Sequence, residues 1–176
     1  MGGRAYIATR KGLFTLDRTA EGWSVASADF LGEHVVNIGQ DPRSGRLYAS
    51  LKHGHFGPKL HRSDDAGRTW QEIGTPTYPK RPDDVPPTMC PARNIEIPWS
   101  LDMAWVIEPD TTTEGGLWCG TIPGGLFRSA DHGDNWELVR TLWDLPNRAK
   151  WFGGGYDFPG IHSILVDPTD PQHVTV

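Results

Sequence analysis

Residues 59–70 read KLHRSDDAGRTW and residues 125–136 read GLFRSADHGDNW. Leu, Arg, Ser, Asp, Gly and Trp fall in the same places, so one unit is present twice. A fainter copy, GLFTLDRTAEGW, occupies residues 12–23, and in all three a leucine precedes the tryptophan by ten residues: Leu13 and Trp23, Leu60 and Trp70, Leu126 and Trp136. A second pattern recurs as VVNIGQDP, MAWVIEP and HSILVDP, ending at Asp41-Pro42, Glu108-Pro109 and Asp167-Pro168. Each is an apolar strand stopped by an acid and a proline, a combination that favours a turn. Asp65 and Asp131 lie 66 residues apart, Asp41 and Glu108 67. Two independent markers therefore keep one period, the mark of a repeat architecture.

Each full repeat reads as four short strands. The first ends at the acid-proline turn, the second covers 46–51 or 117–121, the third 59–62 or 125–128, and the fourth starts at Trp70 or Trp136. Four antiparallel strands per repeat make the blade of an all-β propeller. Gly, Pro and Trp number 21, 15 and 8, which suits many turns and large aromatic wedges between sheets. Helical periodicity is weak. The reading places an incomplete blade at about 4–30, blades at about 34–75 and 100–140, and the start of a further blade at about 161–176. About three blades are present against the four to eight of a closed propeller. The expectation is a part of a propeller of six or seven blades, its missing blades supplied by a longer chain or by a homo-oligomer.

Residues 63–70 fit S-x-D-x-G-x-T-W at every specified position, and residues 129–136 fit with Asn135 in place of the threonine. The chain thus resembles the sialidase-like Asp-box, or BNR-repeat, propellers, and more closely the uncharacterised bacterial BNR-repeat proteins described as glycosyl-hydrolase-like. The motif makes physical sense as a turn. Gly67 and Gly133 can take positive φ, and the Asp65 and Asp131 carboxylates can accept from the turn's own N–H groups. In the resembled family this turn lies away from the active site. Sialidases use an arginine triad, a tyrosine-glutamate nucleophile and an aspartic acid/base; their early Phe/Tyr-Arg-Ile-Pro motif is missing here, with Arg10 the nearest candidate. Strict sialidase activity is therefore not expected, and whether any reaction is catalysed stays open.

Charge and composition narrow the partners. The formal net charge is −5 with no basic block, which gives no electrostatic reason to approach nucleic acid or an anionic membrane. Apolar runs are strand-sized, far below the ~20 residues that span a bilayer. The N-terminus shows no apolar leader, so a cytoplasmic protein is expected. Cys90 and Cys119 fit two free thiols better than a redox or metal motif, and no cofactor or metal is expected.

In an antiparallel blade the Asp-box turns share one edge, and the longer connections share the other. Those connections cover 74–99, 141–160, 53–58 and 122–124; loops of roughly 20 residues in a compact fold tend to be functional. Trp99, Trp151, Phe152 and Tyr156 offer flat faces to a sugar or polar ligand, while Arg148, Lys150, Asp157, His53, His55 and His162 offer charge or proton transfer. His162, Asp157 and Tyr156 are the candidate catalytic groups; His53, His55, Arg10, Trp99 and Trp151 are the candidate ligand-binding groups. The triplet at 153–155 reads as a lid or a corner and lacks the Gly-Lys-Ser/Thr of a phosphate loop. The expected function is binding or hydrolysis of a glycan or related small polar ligand, the alternative a noncatalytic interaction or assembly platform.

Overall fold

The computed structural model describes residues 3–153, 155–170 and 173–176; Met1, Gly2 and Gly154, on which the leader and glycine-triplet readings partly fall, lie outside the described residues. The first sheet holds β1 (Arg4–Thr9), β2 (Gly12–Thr19) and β3 (Gly22–Asp29). The second holds β4 (His34–Gln40), β5 (Leu47–His53), β6 (Gly57–Ser63) and β7 (Gln71–Ile73). The third holds β8 (Met103–Pro109), β9 (Leu117–Ile122), β10 (Leu126–Ser129) and β11 (Glu137–Leu138), and a short pair, β12 (Leu165–Val166) and β13 (Val174–Thr175), follows. Every pairing in these sheets is antiparallel between strands consecutive in the chain. The architecture is a partial β-propeller of four-stranded blades.

The first strand of each full blade is innermost. A Cβ added to Gly39 of β4 would stand 2.8 Å from the Ile107 carbonyl oxygen of β8, and the Ile107 N–H donates to Asn37 Oδ1 at 3.1 Å. Only glycine lets the two backbones approach so closely. Middle strands are sandwiched between sheets, which explains why Leu47 to Leu51 and all of β9 are buried. Leu13, Val35, Ala49 and Leu51 fill the space between the first and second sheets, with Phe30 and Trp70 against them. Tyr48, Leu60, Ile73, Ile107, Leu117, Cys119 and Phe127 fill the space between the second and third. Each large side chain so buried contributes roughly 1.5–3 kcal/mol.

The turn after each innermost strand corrects one register of the sequence reading. Asp41 accepts from the Arg43 N–H at 3.0 Å and the Ser44 hydroxyl at 2.8 Å, and Asp167 accepts from the Thr169 N–H at 2.8 Å. In the third sheet this role falls to Asp110, which accepts from the Thr112 N–H at 2.9 Å. Glu108 is not the equivalent, because β8 runs on through Pro109. Its carboxyl is half-buried, and desolvation pushes its pKa up. A second difference lies at 141–160, where a one-turn helix, α1 (Arg140–Trp143), and a 3₁₀ turn (Pro146–Lys150) stand in a stretch read as plain connection.

Candidate functional site

The two edges of the blades are chemically distinct. At one edge Leu47 pairs with Ser63, and the chain enters the first of the two S-x-D-x-G turns. Ser63 Oγ donates to Asp65 Oδ1 at 2.8 Å and accepts from the Gly67 N–H at 2.9 Å. Asp65 also accepts from the Arg68 and Thr69 N–H groups at 3.0 and 2.9 Å and from the Thr69 hydroxyl at 2.7 Å. Those bonds, led by the ones from Thr69, hold its pKa at about 2. The second turn repeats the network, with the Asn135 amide donating to Asp131 Oδ2 at 2.7 Å in place of the threonine hydroxyl. Ala66 and His132, at φ +60°, share the left-handed geometry with Gly67 and Gly133. The carboxylates are spent on turn donors.

Arginines tie this edge together across repeats. Arg43 donates to the Asp110 and Thr113 carbonyls at 2.9 and 2.8 Å. Arg46 pairs with Asp64 and lies 2.6 Å from His132 Nδ1, while Arg62 reaches the His132 carbonyl at 3.2 Å.

The other edge is where β5 ends and β6 begins, and the long connections gather there. Lys52, at the end of β5, forms an ion pair with Asp102 at 2.9 Å and donates to the Tyr156 hydroxyl. Its ammonium also lies 5.0 Å from the Tyr156 ring centre. Burial opposes the lysine's charge, yet the bonds to Tyr156 and Asp102 raise its pKa overall, and burial raises that of Tyr156. Tyr156 is thereby fixed on the edge opposite Asp65. Trp105 continues the surface, with ring centres 6.4 Å from Tyr156 and 5.5 Å from His162. A bulge between Ala104 and Val106 shifts the strand register at Trp105, a device that re-aims a side chain.

Beyond Trp105 a cavity of about 330 Å³ is lined by Lys150, Trp151, Phe152, Gly153, Pro159, Gly160 and His162. A neighbouring cavity of about 280 Å³ shares Trp151, Gly160 and His162. His162 is exposed, with its Nδ1 2.7 Å from Ser163 Oγ, and lines both cavities. Phe152 is 67% exposed.

The remaining sequence candidates are dispersed around this edge. His53 pairs with Glu33 at 2.9 Å, and His55 is exposed at the tip of the β5–β6 turn. Arg10 is exposed on the β1–β2 turn. Asp157 is exposed and pairs with Arg93 at 3.0 Å, joining the two long connections. Trp99 turns inward, edge-on to Trp143 with ring centres 5.3 Å apart, and packs against the core between the second and third sheets. Arg148 is buried, its guanidinium 3.5 Å above the Trp143 ring and donating to the Trp143 carbonyl at 2.7 Å. It braces the turn that presents Lys150, Trp151 and Phe152. Lys52, Asp102 and Trp105 were missed from the sequence; the bulge that places Trp105 has no local sequence signal.

No family model matches the chain, and no curated protein matches it. Among solved structures, a GH74 xyloglucanase from Xanthomonas campestris is similar over 93% of this chain and 24% of that one, with 15% identity and a TM-score of 0.52. YCF48 bound to D1 peptide is similar over 77% of this chain and 36% of that one, with 14% identity and a TM-score of 0.46. The chain thus spans about a quarter to a third of the length of these structures. At such identities the likeness concerns the fold alone: a piece of a β-propeller.

Proposed function

We propose that the edge opposite the S-x-D-x-G turns binds a glycan or related small polar ligand, as in a sialidase-like Asp-box propeller. One observation carries the reading: a cavity of about 330 Å³ combines the rings of Trp151 and Phe152 with Lys150 and His162 and has no carboxylate among its described lining residues. A flat apolar wall beside a cation and an imidazole suits the apolar face and hydroxyls of a sugar. The same lining favours binding over hydrolysis. Glycoside hydrolysis ordinarily needs two carboxyl groups flanking the bond, whereas Asp102 and Asp157 are each held by a cation and Glu33 is paired with His53. The xyloglucanase acts, by its name, on a glycan, which is compatible with this reading.

A glycan array followed by calorimetry on the best hit tests it, with Trp151→Ala expected to weaken binding at least tenfold, about 1.4 kcal/mol. An array with no hit, or a hit indifferent to Trp151→Ala, would remove the proposal in favour of a platform for other proteins. The exposed Phe56, Leu31 and Phe152 on the same edge give that second reading its support.

A further inference from the structure

The outermost strands of the three sheets are not alike. β7 has 3 residues and β11 has 2, and each carries a glutamate, Glu72 and Glu137. Short, charged edges of this kind discourage strand addition. β3 has 8 residues, GWSVASAD, of which the first seven are exposed. It contains no proline and no charge before Asp29, and Trp23 and Val25 are 53% and 63% exposed. One side of the strand pairs with β2, and among the described residues no strand pairs with the other. A row of unpaired backbone donors and acceptors is complementary to one thing, another extended backbone.

The sequence of the strand points to its own copy as that backbone. β3 carries a bulge at Ala26, since Val25 pairs with Leu16 and Ser27 with Thr15; the extra residue puts Ser24 and Ser27 on one face, so that when two β3 strands run antiparallel about a two-fold axis Gly22 faces Asp29, Trp23 faces Ala28 and Ser24 faces Ser27, with the two bulges meeting at the centre. Each tryptophan meets a small side chain and each serine a serine. The single charge of each strand falls at opposite ends of the seam, about 20 Å apart. We infer that β3 is a self-pairing edge that joins two copies of this chain into a symmetric dimer across a continuous antiparallel sheet. This surface is separate from the cavity beside Trp151, and it is also separate from any contact that completes a blade through its innermost strand.

The seam is small, and the dimer is expected to be weak. Light scattering and sedimentation across about 5–500 µM should show the mass rising from 19.5 kDa toward twice that value. Ser24→Lys with Ser27→Lys sets lysine against lysine and should hold the chain monomeric. Ser24→Lys with Ser27→Glu sets lysine against glutamate and should restore the dimer. Ile7→Lys, on β1 at the side of the sheet away from β3, should leave association unchanged. If the lysine pair fails to fold by circular dichroism, Ser24→Cys with Ser27→Cys decides, since the proposed register requires a disulfide between copies. A wild-type chain monomeric throughout the range overturns the inference. So does a dimer that survives the lysine pair, or one that Ile7→Lys abolishes.

Discussion

The S-x-D-x-G edge and the opposite edge of the same blades are built on different principles. At the first, each turn is closed by residues within eight positions of one another: Ser63, Asp65, Gly67 and Thr69, or Ser129, Asp131, Gly133 and Asn135. At the second, Lys52, Asp102 and Tyr156 come from positions 50 and 104 residues apart along the chain. Local closure makes a rigid frame that repeats. Distant convergence makes a surface that changes with each loop, and loops are where binding groups collect on rigid scaffolds. Damage to the first edge should therefore cost stability, and damage to the second should cost ligand.

The largest effect should come from the tryptophans that wedge the frame. Trp136 packs against the core and donates to the Gly74 carbonyl at 2.9 Å, so Trp136→Ala should lower unfolding free energy by about 3 kcal/mol. Trp70, half-buried against Phe30 at a ring distance of 5.2 Å, should cost about 2 kcal/mol. Trp23 holds the matching place in the first repeat but is 53% exposed, and Trp23→Ala should change stability by less than about 0.5 kcal/mol. Urea midpoints for the three variants give the order, and equal losses would show that the wedge does not depend on a neighbouring sheet.

Next in size is Ser63→Ala. The buried hydroxyl accepts from the Gly67 N–H, and its loss leaves that donor unpaired at a cost of about 1–2 kcal/mol. Ser24→Ala, an exposed serine on β3, is the matched control and should be neutral.

Acid titration probes the same frame. The Asp65 pKa is lowered in the folded chain to about 2, below its unfolded value of about 3.9. Its contribution is therefore complete above the unfolded pKa and is lost as pH falls through the folded one. Thermal midpoints should drop between about pH 4 and pH 2, and Asp65→Asn should flatten that slope relative to wild type.

The smallest stability change belongs to the opposite edge. Lys52→Met severs the contacts with Asp102 and Tyr156 at a partly exposed site, and should cost under about 1 kcal/mol while reducing ligand binding. A larger loss of stability than Trp70→Ala produces would place Lys52 in the frame after all.

How much of this was legible follows from the same division. The turns were readable because all their partners sit in one octapeptide, down to Asn135 standing in for threonine. The blade order followed from the period those turns set. The acid-proline marker misled by two residues at Glu108, because proline at the end of β8 and the carboxylate of Asp110 are separate signals that coincide only in the other copies. Tyr156 and His162 were readable as lying opposite the turns, since strand alternation alone fixes that. Trp99 was read as a ligand face and packs inward because Trp143, 44 residues on, offers it an edge. No local pattern encodes that contact, and none encodes the pairing of Lys52 with Asp102.

The contacts that bridge successive blades have a consequence for how such a chain changes over time. Arg43 addresses the carbonyls of Asp110 and Thr113, Arg62 that of His132 and Trp136 that of Gly74, while Asn37 receives the N–H of Ile107. In each of these bonds one repeat offers a side chain and its neighbour offers main chain, which every amino acid supplies, proline lacking the donor alone; Arg46 with His132, Arg62 with Asp134 and Lys52 with Asp102 are the bridges that need a particular side chain on both sides. Outside those three pairs a repeat can therefore drift in sequence without asking its neighbour to follow, provided its backbone stays in place. Copies that diverge independently in this way are free to acquire different loops on a shared frame.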